Sequence, residues 1–348
     1  MLESRLWHWT GEAPNSPLAD SEIADDLLEC VLARRSPMSS AAVPTHAEIP
    51  PPAIEEVSKG IYAYLQLDGS WFLNNAGCIV GEKTVTVVDS TGTEARARAW
   101  HAAIRRVTEK PVSTLIDTHA HGDHTYGNFM FAESAIIASE VCRKEIIASG
   151  TGAFALFPMV DFGECPVTPP TVTFEDKLSV YVDDLKIELQ FMAPAHTTTD
   201  IVAWIPERKL LFSGDLIFNG GTPFALAGSI GGWLEALDRN EALGPETIVP
   251  GHGPVAGPGV IQEVRDYLLF IQETAKRGLE AGTPPLELAQ SLDLGKFDSL
   301  HDKERLVPNL HRAYSELRGE QWGKALDFRQ MFADMLTYNG GQPLRCLA

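Results

Sequence analysis

In SEIADDLLECVLARR, residues 21 to 35, apolar positions recur at helical spacing, and the Ser/Ala/Pro-rich SPMSSAAVPTHAEIPPPA that follows reads as a connector. From Ile54 the pattern shortens to β-like runs, IYAYLQL, WFLNNAGCIVG and TVTVVDS, broken by Gly, Asn and charged turns. TEARARAWHAAIRRVTEK, residues 93 to 110, predicts an amphipathic helix, and after Pro111 the apolar VSTLID predicts a strand. AIIAS is then expected as a strand and SEVCRKEIIAS as a helix. GTGAFALFPMVDFGECPVTPP, residues 150 to 170, is too rich in Gly, Pro and aromatics for either and is a candidate pocket border. SVYV, KIELQFMA, IVAWIP and KLLFSGD supply a second set of strands, followed by a helix near GGWLEALDRNEAL, the strand TIVP and the turn GHGP.

Strands alternating with helices predict an α/β layered domain over residues 54–257. Residues 1–53 read as an N-terminal extension and linker. Residues 258–348 read as a helical region, carried by VIQEVRDYLLFIQETAKRGLEAG, RLVPNLHRAYSELRG and EQWGKALDFRQMFADML. No internal repeat stands out. The C-terminal helices are candidates for a lid, a homodimer surface or a buttress.

A chain of 348 residues with 44% hydrophobic content can bury a substantial core. Its net charge of −19 argues against a nucleic-acid partner, whose phosphates require a basic surface. No run approaches the ~18 to 20 apolar residues of a membrane span, and the start lacks a basic stretch followed by an apolar one. The expectation is a soluble, cytoplasmic protein acting on a small molecule. Five cysteines, Cys30, Cys78, Cys142, Cys165 and Cys346, lack CxxC spacing and suggest neither a disulfide framework nor a thiolate cage.

The chemistry concentrates in THAHGDHTYGN, residues 118 to 128. His119, His121, Asp123 and His124 fall within six positions of a chain that has 10 histidines in all. Crowded protonated imidazoles repel one another, so a cation that replaces their protons makes sense of the cluster. On a loop leaving a strand, His119 and His121 can share one metal, and Asp123 and His124 face a neighbouring position. Imidazole and carboxylate suit zinc, iron or manganese. His196 in MAPAHTTTD, Asp215 in LLFSGD and His252 in IVPGHGP each follow an apolar strand, where a rigid sheet can aim a ligand.

HAHGDH followed in order by His196, Asp215 and the GHG of His252 resembles the metallo-β-lactamase superfamily over roughly residues 55 to 257. That resemblance implies a four-layer αββα sandwich with two divalent metal ions, zinc foremost, at one edge of the paired sheets. It further implies His119, His121 and His196 on the first metal, Asp123, His124 and His252 on the second, and Asp215 bridging both. Two such ions against both carboxylates and a hydroxide leave a charge of about +1, and metal-bound water has a pKa of about 7. Asp123 is then the catalytic side chain, orienting the nucleophile and shuttling a proton. Asp at position 215 resembles the glyoxalase-II-like and lactonase-like branch, where lactamases carry Cys or Ser, so the expected reaction is hydrolysis of a thioester or lactone. An iron oxygenase of persulfide dioxygenase type is the alternative; β-lactam hydrolysis and phosphodiester cleavage rank lower.

Other residues carry weaker expectations. Phe154, Phe157, Phe162, Phe224 and Trp233 are candidates for a pocket wall, and Asn219 and Thr222 for substrate donors. Thr197, Thr198 and Thr199 are expected to support ligands and backbone. Arg143, Lys144 and Arg239 read as ordinary solvated charges, and the remaining histidines as surface or packing residues.

Overall fold

The computed structural model describes residues 50–348. The expected helix at 21–35 and most of its connector lie outside the described residues. The short apolar runs form two sheets. The first holds β1 (Ala53–Ser58), β2 (Ile61–Leu65), β3 (Ala76–Val80), β4 (Val85–Val88), β5 (Val112–Ile116), β6 (Ala135–Ser139) and β7 (Val172–Phe174), in chain order. Its pairs are antiparallel as far as β4 and parallel beyond. The second holds β8 (Lys177–Val182), β9 (Leu185–Phe191), β10 (Ile201–Ile205), β11 (Leu210–Phe218) and β12 (Thr247–His252). Only its β11–β12 pair is parallel.

The sheets pack face to face. Ile61, Ala63, Ile79 and Ile116 of the first meet Ile187, Leu189, Ile201 and Phe212 of the second in one buried cluster. Helices cover both outer faces. α1 (Glu94–Val107) starts at Thr93, whose side chain accepts from the Arg96 amide, and presses Trp100, Ala103 and Ile104 onto the first sheet. The Trp100 indole is stacked on Tyr64 with ring centroids 4.6 Å apart. α2 (Glu140–Ser149) follows β6. On the second sheet, α3 (Ile230–Ala242) and α4 (Gly259–Ala281) bury Trp233, Leu237, Val264 and Leu268 against Val202 and Leu211. The result is the αββα layering, extended by α5 (Pro285–Ser291), α6 (Leu306–Leu317) and α7 (Phe328–Tyr338).

Several elements differ from expectation. β7 is three residues long and α5 buries only Ala289, so neither has a period long enough to read. β1 begins before the first expected run; its mostly exposed face hides the sheet pattern. The helix expected over residues 320 to 336 starts only at Phe328, capped by Asp327. Gly319 and Gly323, at φ of 81° and 74°, take a left-handed backbone that no α-helix continues through.

Candidate metal centre

The opening motif leaves β5 and is fixed at once. Asp89, just past β4, accepts from the Thr118 amide at 2.7 Å and from the Thr118 hydroxyl at 2.8 Å. His121 then starts a helical turn, Gly122–Thr125, which carries Asp123 and His124. Gly122 is needed for room rather than for flexibility: a Cβ there would lie 2.3 Å from the Tyr126 ring. His196 follows β9 in a loop, and His252 is the last residue of β12. Asp215 corrects the strand-end expectation, because it lies inside β11, where pairing with β12 slips on either side of Gly214.

All seven expected side chains converge. His119, His121, His196 and Asp215 present atoms within 4.8 Å of one another, and Asp123, His124 and His252 form a second such group. Asp215 stands between the groups. Its Oδ2 is 3.3 Å from His196 Nε2 and 3.4 Å from His252 Nε2, while Oδ1 is 3.1 Å from His124 Nε2. His252 Nε2 also lies 3.2 Å from Asp123 Oδ2, and His196 Nε2 lies 2.9 Å from His121 Nδ1.

Outer contacts aim the rings. Nδ1 of His196 lies 2.5 Å from the Phe224 carbonyl, and Nδ1 of His252 lies 3.0 Å from the Gly69 carbonyl. A carbonyl only accepts, so each neutral ring carries its proton outward and turns a bare Nε2 to the centre. Asp89 holds His124 Nδ1 at 2.9 Å in the same way. Thr199 is a supporting residue as expected: its hydroxyl accepts from the Ala120 amide at 3.1 Å. Thr197 bonds Asp200 at 2.7 Å.

The electrostatics are those of a site with charges in want of a cation. Burial holds the His119 imidazole well below its ordinary value and takes His196 down to about 3. Against the same burial, Asp215 and Asp123 push His252 up to about 9. Asp123, which burial would raise, is held down to about 2 by His124 and His252. Nε2 of His119 is buried without a hydrogen-bond partner, a cost that a coordinated ion removes. Five imidazoles and two carboxylates, with no thiolate in either group, fit divalent cations of the zinc, iron or manganese kind.

Five of the seven, His121, Asp123, His196, Asp215 and His252, line a cavity of about 170 Å³. Its walls are largely apolar and come from distant parts of the chain: Trp71, Phe157 and Phe224 together with Phe328, Phe332 and Leu344. The 150–170 loop therefore borders the cavity through Phe157. Phe154 and Phe162 instead stack on each other at 4.1 Å beside Phe72 and Tyr126, and Trp233 is core. Asn219 and Thr222 are not free donors, since they bond the carbonyls of Pro254 at 2.8 Å and His301 at 2.7 Å. Arg143 donates to the Pro170 carbonyl, Lys144 pairs with Glu140, and Arg239 donates to the Phe191 carbonyl.

Three functional neighbours escaped the sequence reading. Asp89 ends an apolar strand as the ligands do, and that signal was available in VTVVDS. Trp71 and Arg305 carry no such signal, because 233 residues separate Trp71 from Glu304, which accepts from its indole N–H at 2.6 Å.

Comparison with known proteins bears on the family and the fold. Residues 69–252 match the family model described as the metallo-beta-lactamase superfamily. A linear primary-alkylsulfatase from Pseudomonas sp. is 24% identical over 303 residues, covering 74% of this chain and 55% of that relative. A metallo-beta-lactamase type 2 from Bacteroides fragilis is 24% identical over 240 residues, covering 64% and 88%. In structure, a metallo-beta-lactamase from Pontibacter korlensis superposes with a TM-score of 0.51 at 18% identity, covering 63% of this chain and 99% of that one. With half of its length matched by the family model and the αββα layers in place, the chain belongs to the metallo-beta-lactamase superfamily.

Proposed function

We propose that the chain is a dinuclear metal hydrolase that cleaves an ester-like bond, a thioester or lactone, in a small apolar molecule. The observation that carries the reading is the seven-residue donor set opening onto an apolar cavity. His119, His121 and His196 would hold one divalent cation, Asp123, His124 and His252 the other, with Asp215 between them. The pair would supply a Lewis acid and a hydroxide near neutral pH. Trp71, Phe157 and Phe328 hold the apolar arm of the substrate and exclude water from it. Asp123 is kept ionised by His124 and His252, so it can orient the attacking water and carry a proton to the leaving group.

A sulfate ester is the second reading, favoured by the match to the linear primary-alkylsulfatase. The test is a panel of thioesters, lactones, primary alkyl sulfates and β-lactams offered to protein of measured metal content. Turnover of a thioester or lactone is expected. Turnover of β-lactams alone, or one iron per chain with oxygen uptake on a persulfide, would overturn the proposal.

A further inference from the structure

Arg305, Asn309, Arg312 and Glu316 recur every three or four residues at the start of α6 and along it, so they share one helix face. Arg305, Asn309 and Arg312 are at most 2% exposed, a place that polar side chains take only when paired. Their partners are successive backbone groups of the loop between β11 and α3. Arg305 Nη1 donates to the Thr222 carbonyl at 3.1 Å. Asn309 Nδ2 donates to the Pro223 carbonyl at 2.7 Å, and Asn309 Oδ1 accepts from the Ala225 amide at 2.8 Å. Arg312 donates to the carbonyls of Ala225 and Leu226. The Glu316 carboxylate accepts from the amides of Ile230 and Gly231 at 2.7 and 3.0 Å, in the first turn of α3.

The helix face therefore holds the loop in order along its length, and one residue of that loop reaches the metal centre. Phe224 offers its carbonyl to Nδ1 of His196 at 2.5 Å, the bond that keeps the ring proton outward and Nε2 inward. Asn309 bonds the residues on both sides of Phe224. Pro223 has no amide of its own to pair, so the bracket on that side falls to the Asn309 side chain. Asn309 is itself fixed, because Nδ2 also donates to the Tyr267 hydroxyl of α4 at 3.0 Å. α6 lies beyond residues 69–252, the stretch that the family model matches.

We infer that Asn309 is a positioning residue for the metal centre: by bracketing Phe224 it holds the carbonyl that orients His196, so a helix outside the paired sheets sets the affinity of the His119, His121 and His196 group for its cation. This inference rests on reading the seven donors as a metal centre.

Metal binding rather than turnover tests it, so that failure here is distinct from failure of the hydrolase reading. Zinc(II) and cobalt(II) are titrated into the full chain, stripped of metal, and into its Asn309→Leu, Asn309→Asp, His196→Ala and His196→Ala/Asn309→Leu variants. Competition with a chelating dye gives the affinities, and visible absorption reports the cobalt geometry. His196→Ala identifies the binding step that belongs to its own group. In Asn309→Leu that step is expected to weaken by about 10- to 100-fold with an altered cobalt spectrum, while the other step changes less than about threefold. Asn309→Asp keeps an acceptor for the Ala225 amide and should lose less. In the His196→Ala background, Asn309→Leu should change the remaining step by less than about twofold, because its route to the cation is gone; a general loosening of the fold would weaken binding in both backgrounds. Tyr314→Phe removes a hydrogen bond from the same helix to Thr283 and, as the control, should alter neither step. Unchanged metal affinity in Asn309→Leu, or an equal loss in both backgrounds, overturns the inference and leaves the hydrolase reading standing; a native chain that binds no divalent cation overturns both. If Asn309→Leu does not fold, Asn309→Asp decides on the same criteria.

Discussion

A Cβ on Gly251 would lie 1.9 Å from Oδ1 of Asp215. The backbone of β12 thus comes within contact distance of the carboxylate that joins the two ligand groups, and Asp215 keeps its place only because position 251 has no side chain. Gly251→Ala should push Asp215 off both groups, with a stability loss of about 1–3 kcal/mol in urea unfolding and a fall in bound metal. Gly257→Ala, where nothing lies within 4 Å, is the control and should change neither. Equal behaviour of the two variants would remove the argument.

His121→Ala and Asp215→Ala should each abolish metal binding and turnover together while far-ultraviolet dichroism stays native. The activity loss should be about a hundredfold or more. Full metal content and turnover in either variant would refute the dinuclear assignment.

Asp89 reaches the centre through Nδ1 of His124 and, by way of Thr118, through the segment that carries His119. Asp89→Asn keeps the shape and tolerates the left-handed backbone at φ 58°. It should weaken metal affinity by about 10- to 100-fold, measured by competition with a chelating dye, without changing metal stoichiometry at saturation.

Protons and cations compete for the same nitrogens. In the metal-free protein His252 is raised to about 9, so below that pH its Nε2 proton must leave before a cation binds. Zinc affinity should therefore climb as pH rises toward 9 and flatten above it, with proton release visible at pH 7 by calorimetry in buffers of different ionisation enthalpy. Chelation should lower the unfolding temperature, because metal at about a thousand times its Kd contributes about 4 kcal/mol.

Phe328 is a partly buried part of the cavity wall, contributed by α7. Phe328→Ala should raise KM for long-chain esters by about tenfold, the worth of one buried aromatic contact, and leave short-chain esters and metal content alone. A uniform fall in kcat across chain lengths would contradict its role as a wall.

The seven converging side chains were legible in the sequence because each is tied to a local pattern. His119 to His124 are crowded into one loop, and His196 and His252 follow apolar strands whose ends a sheet must place at one edge. Asp215 was legible as a residue but not in position, since the slip that lets β11 run through it depends on pairing with β12. The main strands and the helices α1 to α4 followed from their periods. The cavity was legible only in part: the 150–170 loop, Phe157 and Phe224 were expected at a pocket wall and line it, whereas the wall supplied from beyond residue 300 was not foreseen. Arg305 meets Trp71 only through tertiary packing, and no period in either segment announces a partner more than two hundred residues away. Gly319 and Gly323 break a stretch whose apolar spacing alone reads as helix.

All seven candidate donors precede residue 253, whereas Phe328, Phe332, Leu344 and Arg305 of the cavity wall follow residue 300. The wall is thus completed by a stretch that carries none of the seven donors, so substitutions beyond residue 300 can reshape the chamber without touching the donor set.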